Sequence, residues 1–154
     1  MVCVNANDGV HLDPCTWGAP QEVSLVSNQA RAVPAINLQR GVTAQITIDD
    51  PDGLLGPPET PNPKLTVAFQ LANGLLIPLS PYDVTAHRNG RGSIFRYIAP
   101  YKPDLDVKLQ LLCPVAVVRD SGGTALRANG TSAPSIRAKA TDTSAAFRYT
   151  ITKN

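Results

Sequence analysis

The stretch of this sequence that most constrains its fold is residues 64–79, KLTVAFQLANGLLIPL, in which two apolar runs flank a turn dipeptide. The first run, from Leu65 to Leu71, places an apolar side chain at every second position. Because successive side chains of a strand point to opposite faces, this period predicts a strand that buries one face. Asn73-Gly74 predicts a tight two-residue turn with both residues at positive φ, so the stretch is predicted to be a β-hairpin.

Shorter alternating segments recur along the chain between clusters of Gly, Pro, Asn and Asp. They predict further strands at 22–27, 42–49, 93–99, 106–118 with a break at Pro114, 125–128, 135–140 and 146–152. Pro34 limits 30–38 to an edge strand or an extended segment, and a helix is the alternative at 104–112. The pattern predicts an all-β, single-domain β-sandwich of jelly-roll or immunoglobulin-like type with roughly eight to ten short strands. A closed barrel is the structural alternative.

Residues 1–21 precede the first predicted strand and are rich in turn formers. We therefore expect an irregular N-terminal arm at 1–21, followed by the sandwich domain at 22–154. Trp17 is the single tryptophan of the chain. It is expected either to fill the core or cover a sheet edge, or to be an exposed contact at an interface or a sugar site.

A metal site is one interpretation of the N-terminal region, where Cys3, His11, Asp13 and Cys15 are close in sequence. Structural zinc sites use paired Cys or His ligands at short spacing, and this set lacks them. We therefore expect no metal site, and a Cys3–Cys15 disulfide is the preferred interpretation in an oxidising setting. Cys113 follows an apolar run and is expected to be a buried thiol or, as the odd cysteine, a bond between subunits.

No catalytic or cofactor-binding pattern stands out. The chain lacks a Gly-x-Ser-x-Gly elbow, and its two histidines lie in predicted loops without an orienting motif. Residues 49–53, DDPDG, lack the downstream glutamate of an EF-hand calcium loop, and 88–92 lack the Gly-Lys-Ser/Thr of a phosphate-binding loop. We expect no cofactor and no enzyme activity; a hydrolase built on two carboxylates that meet only in space is the open alternative.

Two loops are predicted to make contacts. Residues 50–63 contain five prolines and two glycines in fourteen residues, so no helix or strand is expected there. Leu54 and Leu55 at its centre are expected to cap the domain's own core or to insert into a neighbouring subunit. In the basic tip at 87–92, Arg88 and Arg91 are candidates to grip a phosphate or an acidic protein surface, the alternative being a solvated turn.

Charge is unevenly distributed along the chain, although the total is only +2. Residues 1–77 carry three basic and seven acidic side chains, and residues 78–154 carry eleven basic and five acidic ones. One interpretation is that the two halves interleave on folding and mix the charges. The other is a molecule with an acidic and a basic side, suited to head-to-tail pairing with copies of itself or to an acidic partner.

Targeting signals are not visible in the sequence. Its first residues lack the basic and apolar regions of a secretory signal, and no apolar run of about 18 residues could cross a membrane. The total charge is too small to predict specific nucleic-acid binding. We expect synthesis in a cytoplasm and no membrane partner, with secretion as the alternative if a signal has been removed.

These observations favour a non-enzymatic structural or assembly protein, because few charges suit close contact with other proteins. The most concrete version is a virion component, such as a capsid, capsid-decoration or tail protein, that contacts copies of itself or another virion protein. That step rests on analogy of composition and fold. The alternative is an immunoglobulin-like adhesin or a carbohydrate-binding module in which Trp17, Tyr82 and Tyr101 stack on a ligand. The interaction residues expected are Leu54, Leu55, Arg88, Arg91 and Trp17.

Overall fold

The computed structural model of the chain describes residues 4, 8–18, 22–24, 26–30, 32–56, 64–126, 135–139 and 141–153. They form a one-turn helix and ten strands, and none of their helices is long and apolar enough to span a membrane. The elements are α1 Pro14–Trp17, β1 Val42–Asp50, β2 Thr66–Gln70, β3 Leu76–Leu79, β4 Asp83–Ala86, β5 Ser93–Tyr101, β6 Val107–Leu112, β7 Val117–Asp120, β8 Ala125–Leu126, β9 Ser135–Ile136 and β10 Ser144–Thr152. The all-β prediction is confirmed.

The strands build two sheets that pack together as a β-sandwich. The larger sheet has the strand order β4-β5-β1-β10-β7-β8, and the smaller has the order β3-β2-β6-β9. β1 pairs with β10 in parallel and with β5 in antiparallel orientation. A strand from the acidic half of the sequence therefore lies between two strands from the basic half, and the two halves do not form separate sides of the domain.

The core lies between the sheets and follows the alternation of the strands. On β1, Val42, Ala44, Ile46 and Ile48 are each at most 2% exposed, whereas Gln45 between them is exposed. Their counterparts are buried side chains of β5, β10 and the facing sheet, chiefly Phe95, Tyr97, Tyr149, Ile151, Val67, Phe69, Val107 and Leu109. Burial of apolar surface on this scale is the main stabilising contribution to such a fold.

The hairpin predicted at 64–79 is present as β2 and β3, which pair in antiparallel orientation, but its turn differs from the prediction. The Gly74 N–H donates to the Leu71 carbonyl oxygen at 2.9 Å. Gly74 has a positive φ of 85°, whereas Asn73 does not, and the Asn73 side chain accepts the Leu75 N–H at 3.0 Å. The turn is thus a longer one that ends in a left-handed glycine.

The segment before β1 divides into a packed part and an exposed part. Residues 8–18, within the predicted arm at 1–21, pack on the sandwich: Leu12 and Trp17 are buried, and the Leu12 N–H donates to the Gln39 carbonyl oxygen at 2.8 Å. Residues 22–38 contain no helix or strand in their described positions, and most of these are exposed. The strand predicted at 22–27 is therefore wrong, and 30–38 joins neither sheet, since Pro34 cannot donate to a ladder.

Two of the four edge strands are short or carry a proline. β4 has four residues and β3 carries Pro78, whereas β8 and β9 border residues outside the described ranges. Short strands and proline at an edge leave little backbone for a further strand to pair with. Pairing with a further strand is therefore disfavoured at β3 and β4.

Candidate functional site

The two loops predicted to make contacts lie side by side at one end of the sandwich. β1 leads into the first and β5 leaves the second, and Asp50 pairs with Ser93 where these strands meet the loops. Asn89 Nδ2 of the second loop donates to the Pro51 carbonyl oxygen of the first at 2.6 Å. We call residues 50–56 and 87–92 the loop platform; residues 57–63 of the first loop lie outside the described residues.

Asp50 closes the first loop of the platform. Its side chain is fully buried, and its two oxygens accept the N–H groups of Leu54 and Leu55, each at 2.9 Å. Leu55 is only 2% exposed, and Leu54 is half-buried against the same core. The two leucines thus cap the domain's own core. This corrects the interaction role expected of Leu55, because its side chain has no surface left for a neighbouring subunit.

Two glycines allow the loops to approach each other. A Cβ atom at Gly92 would lie 1.6 Å from the Asp50 carbonyl oxygen, and one at Gly53 would lie 2.4 Å from the Arg91 carbonyl oxygen. Gly53 also has a positive φ of 67°. A side chain at either position would push the two loops apart, since no Cβ atom tolerates such distances from backbone.

The second loop is closed by its own hydrogen bonds. The His87 N–H donates to the Gly92 carbonyl oxygen at 2.8 Å, and the Arg91 N–H donates to Asn89 Oδ1 at 3.0 Å. Arg88 and Arg91 are exposed on this turn. Within the described part of the chain, neither guanidinium has an ion-pair partner. The platform therefore presents two arginines from a backbone that is fixed.

His87 and Asp49 form a second feature of the platform. His87 Nε2 lies 3.9 Å from Asp49 Oδ1, a buried oxygen that accepts no hydrogen bond in the described structure. The Asn89 N–H lies 3.4 Å from His87 Nδ1. A histidine beside a carboxylate is part of a catalytic triad only when a nucleophile bonds the histidine. In the described chain His87 contacts Asp49 and Asn89, and its backbone makes the bond that closes its own loop.

Trp17 lies at the opposite end of the sandwich and is buried. It is 9% exposed and packs edge-on against Phe69, with ring centroids 6.3 Å apart. Tyr101 is also fully buried, so of the three predicted stacking residues only Tyr82 is exposed, at 62%. Trp17 thus fills the core, the first of its two predicted places, and this corrects its interaction role.

Cys15 and Cys113 differ in their bonding. Cys15 is disulfide-bonded and is the second residue of α1, where the Asp13 side chain accepts its N–H at 2.9 Å. Cys3, its predicted partner, lies outside the described residues. Cys113 carries a free, partly buried thiol, and burial raises its pKa. Thiolate chemistry at Cys113 is therefore disfavoured.

The sequence did not predict the roles of three platform residues: Asp50, Asn89 and Gly92. An aspartate at a strand end followed by Pro and Gly is a signal for a side chain that accepts loop N–H groups. Asn89 and Gly92 left no such signal, because they matter only after β1 and β5 have paired and brought the two loops together.

Neither a metal-ligand cluster among the described residues nor a match to a protein family identifies this site. No group of three or more His, Cys, Asp and Glu side chains in the described ranges could hold a metal ion. No protein-family model matches the chain, and no curated protein is significantly similar to it. The contacts and exposure of the described residues are therefore the basis for a functional proposal.

Proposed function

We propose that the protein is a non-enzymatic structural or assembly protein that makes contacts with copies of itself or with other subunits in a repeated assembly. A virion component, such as a capsid, capsid-decoration or tail protein, is the most concrete form of this proposal. That form rests on analogy with the composition and fold class of such proteins. The observation that carries the proposal is the exposed segment at 22–38.

The exposed segment presents apolar side chains to solvent. Val26 is 55% exposed and Val33 is 45% exposed. The described residues of 22–38 form no helix or strand, and long irregular stretches are uncommon in a compact domain and are usually functional or linkers. Here the segment runs between two anchored parts, the packed residues 8–18 and β1. The domain therefore holds it in place as a loop that a partner can cover.

The composition of the exposed segment suits a protein contact. Of its seventeen residues only Glu22 and Arg31 are charged, and the cores of protein interfaces are depleted in charge. Covering the two valines would remove apolar surface from water at about 25 cal/mol per Å². The edge strands β3 and β4 support the proposal too, because the proline of one and the short length of the other disfavour pairing with a further strand.

The experiment replaces Val26 and Val33 with serine in the whole chain. We expect association, measured by sedimentation over a concentration series, to weaken about tenfold or more, because two apolar anchors are lost. The stability of the monomer should change by less than about 0.5 kcal/mol per substitution, since both side chains are exposed.

Val115→Ser is the matched control, because Val115 is exposed to a similar degree, 47%, in the turn between β6 and β7. It should leave association unchanged. Equal weakening by Val115→Ser, or a chain that stays monomeric at every concentration, would contradict assembly through the exposed segment.

An immunoglobulin-like adhesin or carbohydrate-binding module has less support. Tyr82 is the only one of its three expected stacking residues that is exposed. A cavity of about 490 Å³ lies beside Trp17 and is also lined by Leu71, Lys102 and Leu105. Because Trp17 is buried, its ring offers no open face to a sugar there.

A further inference from the structure

Arg88 and Arg91, like Arg40 and Arg148, have no internal side-chain partner in the described chain, whereas three other arginines do. Arg96 bonds the Asp83 carboxylate at 2.6 Å, Arg119 bonds Thr152 and the Gly123 carbonyl oxygen, and Arg137 lies 3.7 Å from Asp106. The donors of Arg88 and Arg91 are left to solvent on a turn whose backbone is already bonded. Guanidinium groups placed in this way are available to an outside ligand.

The exposed charges at the platform end are mostly basic. Lys64 and Lys153 are exposed at the same end as the two arginines, and Asp52 is the exposed carboxylate among the described residues there. Asp50 is buried and its oxygens accept two N–H groups. Lys64 lies beside the first loop, since a Cβ atom at Gly56 would be 3.3 Å from its Nζ. An acidic surface would complement this end.

The opposite end of the sandwich does not supply such a surface. Its exposed charged side chains in the described ranges are balanced, with four basic and four acidic groups. They are Arg40, Lys102, Arg137, Lys139, Asp8, Asp104, Asp106 and Asp142. A second copy of the chain stacked head-to-tail would therefore offer the platform little net attraction. This balance favours a different protein over a head-to-tail copy as the source of the acidic surface.

The rigidity of the platform adds to this argument. Its loops are fixed by the Asp50 and Asn89 hydrogen bonds and by the close approach of Gly92 to Asp50. Binding by a fixed loop loses less conformational entropy than binding by a free one. The guanidinium fork matches the two oxygens of a carboxylate. Four basic groups are too few for nucleic acid, where tight binding rests on many phosphate contacts.

We propose that the loop platform docks on an acidic surface of a different protein, with Arg88 and Arg91 as the groups that contact its carboxylates. The inference rests on the proposed assembly function, because it names the kind of partner that such a subunit would attach to. It uses a different surface from the exposed segment at 22–38.

The test measures binding of a fluorescent poly-glutamate peptide to the whole chain at low salt. Replacing both Arg88 and Arg91 with glutamate should weaken binding about tenfold or more. Replacing Arg40 and Arg148, which are also exposed, with glutamate makes the same charge change elsewhere on the surface. This control should weaken binding of the peptide less than about twofold. The Arg88→Lys and Arg91→Lys variant keeps the charge but loses the fork, so it should fall between the two.

Salt provides a second readout, since charges are screened beyond about 10 Å at 0.1 M and about 3 Å at 1 M. The difference between the two glutamate variants should shrink as salt rises. No binding of the peptide, equal loss in both variants, or tighter binding to an oligonucleotide or to phosphatidylserine vesicles would overturn the proposal. The peptide assay is made on the monomer, so its failure is distinct from a failure of association through Val26 and Val33.

Discussion

The loop platform and the exposed segment at 22–38 both lack regular secondary structure, but they are held to the sandwich in different ways. In the platform, Asp50 accepts two N–H groups and Asn89 bonds across to Pro51. In the segment, the Gln29 N–H donates to the Val26 carbonyl oxygen at 3.2 Å, which closes only a local turn. Irregular backbone becomes rigid where side chains make the hydrogen bonds to backbone groups that a neighbouring strand would otherwise make.

Among the platform variants, Gly92→Ala is expected to lower stability most. The alanine places a Cβ atom against the Asp50 carbonyl oxygen and forces the loops apart, so we expect a loss of about 3 kcal/mol or more in the free energy of unfolding. Gly90→Ala is the matched control, because Gly90 has a positive φ but open space around it. It should cost about 1 kcal/mol. Equal costs by denaturant unfolding would show that the loops do not touch as described.

Asp50→Ala probes the hydrogen bonds of the platform. It leaves the Leu54 and Leu55 N–H groups without their acceptor in a buried place, and we expect a loss of about 2 kcal/mol in the free energy of unfolding. Asp52→Ala removes an exposed carboxylate two residues away and should change stability by less than about 0.5 kcal/mol. A similar small effect at Asp50 would mean that the first loop is no more fixed than the exposed segment.

Acid should act on the packed residues 8–18, which lead into the exposed segment. The His11 side chain, with the N–H groups of His11 and Val10, holds the pKa of Asp8 well below its usual range. A lowered folded-state pKa gives stability that is present above about pH 4 and is lost as the pH falls. We expect the Val10 and His11 amide signals to shift below that pH in a titration by NMR. In Asp8→Asn the shift should disappear; its persistence would assign the change to another group.

Alternation along the sequence predicted β1, β5 and β10 because each buries one face, and that face repeats every second residue. It could not predict that β1 pairs with β10 across about a hundred residues, since register between distant strands leaves no local signal. The same limit explains the wrong strand at 22–27. Val23 and Leu25 alternate with polar residues, but a strand also needs a neighbour that offers it a ladder.

The platform shows the same division between local and long-range information. Two basic residues beside Gly90 and Gly92 predicted an exposed turn, and Arg88 and Arg91 are exposed. The sequence did not decide where Leu54 and Leu55 are buried, because an apolar pair in a loop is equally suited to the core of its own domain and to a partner. The buried acceptor at Asp50 decides between them, and its burial depends on the fold as a whole.

Hydrogen exchange, measured by mass spectrometry on dilute and on concentrated protein, tests the assembly role of the exposed segment most directly. In the dilute sample we expect fast exchange at 22–38 and slow exchange at the Leu54, Leu55 and Arg91 amides, which are hydrogen-bonded. In the associated sample 22–38 should gain protection of about tenfold or more, while the platform stays unchanged. Association without added protection at 22–38 would contradict the account.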